Sequence, residues 1–129
     1  MSGPLVYVGK HAIQEGKLEV AREASRDLAE HLEANHPREA HFEIAIDDSL
    51  REMTVLQVHP DEESLKLHIQ VGGDRIKAAY EFLEGTTSIE IHGNPTDELR
   101  GMLNTMSAGA PVRIHNPDAG FSRLAQTTA

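Results

Sequence analysis

The chain holds 129 residues with a formal net charge of −9, from 12 Lys and Arg against 21 Asp and Glu. That length supports one hydrophobic core, and the acidic balance disfavours a nucleic-acid partner, because phosphate binding needs a basic footprint. Cysteine is absent, which excludes disulfides, Fe–S clusters and thiol nucleophiles and suits a cytoplasmic location.

No run approaches the roughly 18 apolar residues of a membrane span. Residues 1–6 lack the basic flank and long apolar stretch of a secretory signal. Leu5 to Ile13 is the first expected strand, with apolar groups on both faces. Gln14-Glu15-Gly16 turns out of it. Residues 17–34 form an amphipathic pattern, with Leu18, Ala21, Ser25, Leu28 and Leu32 on one stripe. His36-Pro37 stops this helix, since the residue before proline avoids the helical region. Ala40 to Asp47 reads as a second strand, with Phe42, Ile44 and Ile46 pointing one way and His41, Glu43 and Ala45 the other. Glu52 to His59 is the third, joined to the second as a hairpin.

Asp61 is expected to cap the next helix, which carries Leu65, His68 and Ile69 on one stripe. Gly72-Gly73 interrupts that helix, and Asp74 caps a continuation through Ile76, Ala79, Tyr80 and Leu83 to Gly85. Thr86 to His92 is the fourth strand. Asn94-Pro95 opens a last helix, with Pro95 at or near its first position and Leu99, Met102, Leu103 and Met106 as its apolar stripe. Val112 to His115 is a short fifth strand, Phe121 anchors the ending, and residues 125–129 form a frayed tail.

The order β-α-β-β-α-β, followed by a helix and a short strand, predicts an α+β, ferredoxin-like antiparallel sheet with helices on one face. The chain reads as one domain over 1–129, with 94–129 as a C-terminal extension. Strands one and three carry apolar residues on both faces: Tyr7 opposes Val6 and Val8, and Val55 opposes Leu56 and Val58. The face without helices is therefore expected to meet a second subunit.

Three segments carry a family likeness: Gly16-Lys17-Leu18 opening the long helix, the strand Thr54-Val55-Leu56-Gln57-Val58-His59-Pro60-Asp61, and Glu63-Ser64-Leu65-Lys66-Leu67-His68. With these the chain resembles the antibiotic biosynthesis monooxygenase-like proteins of the dimeric α/β-barrel superfamily. Gly93-Asn94-Pro95-Thr96 and the ending from His115 to Leu124 resemble the extended actinobacterial-type members. The resemblance implies a homodimer whose two sheets face each other in a barrel, and a pocket in each subunit between sheet and helices. Some members are cofactor-independent monooxygenases acting on aromatic or quinol substrates; others degrade haem or isomerise lactones. The haem-degrading branch uses an Asn-Trp-His constellation, and this chain has no Trp.

Eight histidines stand out, but no His-x-x-x-His pair exists, so no metal ligands are assigned. His68 is the candidate catalytic base, because a neutral imidazole among apolar neighbours can take a proton from a phenol; the plainer alternative is a boundary histidine bonded to backbone. Relatives often place a histidine on this helix facing the pocket. Tyr80, Phe42, Leu65 and Ile69 are the candidate substrate-binding residues, with Leu28, Val55 and Leu83 as further walls. Arg75 is either a clamp for an acidic substrate or a solvated charge. His41 with Glu43, and Glu90 with His92, repeat a polar pattern on strands two and four. No Ser-His-Asp arrangement or nucleotide fingerprint can be assembled. Two functions follow: a cofactor-free monooxygenase for a small aromatic or quinol-type substrate, or a non-catalytic dimer that binds a small apolar molecule.

Overall fold

The computed structural model describes residues 3–124. The elements run β1 (Leu5–Ile13), α1 (Leu18–Asn35), β2 (His41–Asp47), β3 (Glu52–His59), α2 (Glu62–Ala78), a 3-10 turn (Ala79–Glu81), β4 (Leu83–His92), α3 (Asp97–Met106) and β5 (Val112–His115). They build one five-stranded sheet in the order β2-β3-β1-β4-β5. Every pairing is antiparallel except β4 with β5. This is the expected ferredoxin-like arrangement, with the last helix and strand added to the sheet rather than set apart from it.

The period-two patterning decides which face is covered. Leu5, Tyr7 and Ile13 of β1, Met53 and Gln57 of β3, and Ile89 and Ile91 of β4 are buried under the helices. The helices answer with Ala21 and Leu32 of α1, Leu65 of α2, and Leu99 and Leu103 of α3, all at 2% exposure or less. The opposite face keeps Val6, Val8, Leu56 and Val58 partly exposed. Rows run straight across it, His41–Val58–Val6–His92–His115 and then Glu43–Leu56–Val8–Glu90–Arg113.

Three expectations need correction. The helix does not break at Gly72-Gly73: α2 is continuous from Glu62 to Ala78. Gly72 is buried against α1, where a Cβ would stand 3.2 Å from Ile76 Cδ1 and 3.5 Å from Leu28 Cδ1. The glycine serves a close helix approach, and the α-helical ladder tolerates it at a cost of about 1 kcal/mol. Leu83 and Gly85 accordingly belong to β4, where Gly85 pairs with Ala12.

The last helix is capped by Thr96, whose hydroxyl accepts from the Leu99 amide at 3.2 Å, so Pro95 precedes the cap. Phe121 does not anchor the ending. It is 83% exposed and its ring lies 4.6 Å from the Arg123 guanidinium carbon. The frayed tail expected at residues 125–129 lies outside the described residues. Among those described, no helix is long and apolar enough to cross a membrane.

Candidate active site

A cavity of about 100 Å³ lies between the covered sheet face and helices α1 and α2. All six predicted walls line it: Leu28 from α1, Phe42 from β2, Val55 from β3, Leu65 and Ile69 from α2, and Leu83 from β4. Strand alternation and helical stripe meet here because both patterns aim their apolar side inward. His68 and Tyr80 line the same space. Tyr80 sits at the rim, 46% exposed, with its hydroxyl 3.5 Å from the Met106 carbonyl. Arg75 also borders the cavity, but its Nε is bonded to Asp27 at 2.7 Å.

His68 is buried and its ring packs 5.5 Å from that of Phe42. Its Nδ1 is 2.8 Å from Glu39 Oε1, and both side chains are 4% exposed. A carboxylate can only accept, so Nδ1 carries a hydrogen. Among the described residues Nε2 has no protein hydrogen-bond partner. The arrangement is that of an oriented base: a carboxylate fixes the tautomer and can stabilise the imidazolium formed when Nε2 takes a proton.

Two more histidines surround the same carboxylate. His36 Nε2 donates to the Ser64 carbonyl at 2.8 Å, and its ring is 6.0 Å from that of His59. His59 bonds Ser64 Oγ at 2.7 Å through Nδ1 and Gln57 Oε1 at 2.8 Å through Nε2. Burial, with His68, His36 and Arg38 adding to it, holds the His59 imidazole down to about 3, so it stays neutral. Glu39 Oε2 and His36 Nδ1 are buried without a hydrogen-bond partner.

Three further polar groups face the cavity. Burial, with the Tyr80 phenol nearby, pushes the Tyr7 hydroxyl well above its usual range. His11 Nδ1 lies 3.1 Å from Thr86 Oγ1, and burial lowers its basicity. Gln57, paired with Tyr7 across β1 and β3, is 4% exposed. The site thus combines many apolar walls with few polar groups, as small-molecule pockets do.

Two clusters offer metal-ligand atoms within 4.8 Å of one another: His36, Glu39 and His59 inside, and Glu90, His92 and His115 on the open face. The inner cluster has its two imidazole Nε2 atoms already bonded to Ser64 and Gln57.

Sequence reasoning missed Glu39, His11, Tyr7 and the convergence of His36 and His59. One signal was available. His36-Pro37-Arg38-Glu39 is a short link between α1 and β2, and β3 runs into α2 through His59-Pro60-Asp61. In this topology β2 and β3 are neighbours, so both links lie at one end of the sheet.

No known family profile matches the chain, and no curated protein matches it in sequence. Solved structures do match in shape. MupZ from Pseudomonas fluorescens is 19% identical with a TM-score of 0.79, over 94% of this chain and 95% of that one. A protein of Caulobacter crescentus CB15 described as a candidate antibiotic biosynthesis monooxygenase is 19% identical, TM-score 0.65, over 74% of this chain and 92% of that one. Another candidate of that name, from Nitrosomonas europaea, is 14% identical, TM-score 0.62, over 75% and 95%. At these identities the shared property is the fold.

Proposed function

We propose that the cavity is an active site in which His68, held by Glu39, takes a proton from a small, largely apolar substrate. The reaction class is that of a cofactor-independent monooxygenase acting on an aromatic or quinol-type molecule. The observation that carries this reading is the buried 2.8 Å contact between His68 Nδ1 and Glu39 Oε1, in a residue that lines the cavity. Deprotonating a phenol makes it electron-rich enough to react with dioxygen, and burial excludes the water that would compete for the anion. The monooxygenase names carried by the Caulobacter and Nitrosomonas proteins support oxygenase chemistry in general.

Substrate size follows from the space. A cavity of about 100 Å³ is near the scale that accepts a single aromatic ring. Phe42, Leu65 and Ile69 hold the ring, and Tyr80 at the rim orients an oxygen of it. In this reading the protein works as a cytoplasmic homodimer, with Val6, Val8, Leu56 and Val58 covered by the second copy.

Oxygen uptake over a panel of phenols and hydroquinones tests the proposal. Turnover is expected for at least one compound, and His68→Ala should lower it by about 10²-fold or more with the fold intact. Binding of small apolar ligands with no oxygen uptake, and with an affinity that His68→Ala alters, would replace this reading with a non-catalytic binding protein.

A further inference from the structure

The sheet face turned away from the helices carries a second group of chemical side chains. Glu90 and His92 are two residues apart on β4, so they share that face, and His115 of β5 is the register partner of His92. The two imidazole rings are stacked, with centroids 4.6 Å apart and planes inclined by 15°. Both Nε2 atoms turn toward one oxygen: Glu90 Oε1 is 3.0 Å from His115 Nε2 and 3.9 Å from His92 Nε2. We propose that Glu90, His92 and His115 form a binding site for a divalent transition-metal ion of the zinc class.

Geometry is the first argument. The three donor atoms lie within 4.8 Å of one another. A point equidistant from donors with these edges is about 2.0–2.5 Å from each, against about 2.0–2.2 Å for zinc bound to imidazole nitrogen or carboxylate oxygen. Closing the site requires the two stacked, half-exposed imidazoles to turn about their side-chain bonds so that both Nε2 lone pairs meet at that point. Two imidazoles and one carboxylate are borderline ligands that favour zinc, nickel, cobalt or copper over magnesium or calcium. Three protein ligands leave a fourth position for water or a group from another molecule.

Rigidity is the second argument. β5 is clamped to β4 at both ends: the Ile89 amide donates to the Pro111 carbonyl at 3.0 Å and the Gly93 amide to the His115 carbonyl at 3.0 Å. Asn116 Nδ2 adds a bond of 3.2 Å to the Gly93 carbonyl. Beneath the site Ile91 is buried, with Val112 and Ile114 packed against the same core. The backbone that carries the ligands is thus fixed before any ion arrives, and only side-chain rotation is left to complete the site.

Availability separates this group from the inner one. Both ring nitrogens of His59 are hydrogen-bonded, at 2.7 and 2.8 Å, so His59 would have to surrender one of these bonds to ligate an ion, and His36 Nε2 is already bonded to the Ser64 carbonyl. The Nε2 atoms of His92 and His115 contact only Glu90 among the described residues. Arg113 is the register partner of Glu90, yet no ion pair joins them among the described residues.

Calorimetric titration of the full chain with Zn²⁺, together with visible spectra of the Co²⁺ form, tests the site. One ion per chain with micromolar affinity is expected. His92→Ala and His115→Ala should each weaken binding about tenfold or more. His41→Ala, at the far edge of the same face, should leave it unchanged, and so should His68→Ala, which separates this test from the fate of the proposed enzyme. The ring positions of His92 and His115 are about half exposed, so these variants should keep the wild-type circular dichroism. Retention of the ion in the His92→Ala/His115→Ala double variant, or absence of saturable binding in the wild type, would overturn the proposal.

Discussion

Glu39 Oε1 and His68 Nδ1 stand 2.8 Å apart although the residues are 29 positions apart in the chain. The acid comes from the link between α1 and β2, and the base from the middle of α2. Their meeting places a hydrogen on His68 Nδ1 and fixes the ring at the wall of the cavity. It also leaves Glu39 Oε2 buried without a hydrogen bond, a destabilising arrangement of the kind functional sites retain.

Replacing Glu39 should therefore separate chemistry from folding. Glu39→Gln keeps the shape and removes the negative charge that stabilises the imidazolium. Turnover is expected to fall about 10-fold to 10²-fold, while substrate affinity changes little. Glu39→Ala leaves the His68 Nδ1–H buried without an acceptor, and should also cost about 1–3 kcal/mol of stability by urea unfolding.

His59 gives the stability a defined pH dependence. In the folded chain burial first, then His68, His36 and Arg38, hold this imidazole down to about 3. Unfolded, it titrates near 6.5. Above that pH neither state binds the proton and its contribution is complete. As pH falls from 6.5 toward 3 the unfolded chain binds a proton that the folded one refuses, costing up to about 1.4 kcal/mol per pH unit. Urea midpoints between pH 7 and pH 4 should show this slope, and His59→Asn should flatten it.

The parts legible in the sequence were those whose physics is local. β1 and β3 match their expected bounds because alternation and turn residues act within a few positions. Gly72-Gly73 misled because a glycine that breaks a helix and one that admits a neighbouring helix look alike until Leu28 is seen against it. The walls of the cavity were readable from inward stripes. The Glu39 contact was not, since it depends on where the link between α1 and β2 meets the middle of α2 in space. Phe121 failed for a related reason: a large apolar residue near an end signals burial only when some surface is positioned to receive it.

The open sheet face predicts its own test. Val8 and Leu56 are register partners at its centre and both are partly exposed. In the proposed dimer they meet the second copy, and a charge placed there would be desolvated without a partner. Val8→Lys should therefore lower the mass measured by light scattering at micromolar protein from dimer to monomer. A wild-type monomer would refute the dimer.

Gly72 should discriminate between helix stability and cavity volume. Gly72→Ala gains about 1 kcal/mol of helix propensity, and its methyl meets only the flexible ends of Ile76 and Leu28. Its thermal midpoint should be unchanged or slightly higher. Gly72→Leu overfills the contact, at about 1–3 kcal/mol. Leu28 and Ile76 also line the cavity, so this variant should bind ligand more weakly than its loss of stability explains.

Glu62 ties the start of α2 to the start of α3. It is 3% exposed, and its carboxylate accepts from the Thr96 amide at 2.8 Å and the Thr96 hydroxyl at 2.5 Å. Lys66 Nζ lies 3.3 Å away. Burial alone would raise its pKa, but the Thr96 bonds and the Lys66 charge outweigh burial and lower it. Because the folded value is the depressed one, this stabilisation is complete above the unfolded pKa near 4.5 and is lost as pH falls through the folded value. Thr96 is also the cap of α3, so loss of the Glu62 charge should loosen that helix first. Hydrogen exchange at the Leu99 and Arg100 amides should quicken as pH falls below the unfolded value, more than exchange in β1 or β3. Glu62→Ala should show the same loosening at neutral pH, with a loss of about 1–3 kcal/mol. Unchanged protection of α3 in that variant would show that its packing through Leu99 and Leu103 holds the helix without the carboxylate.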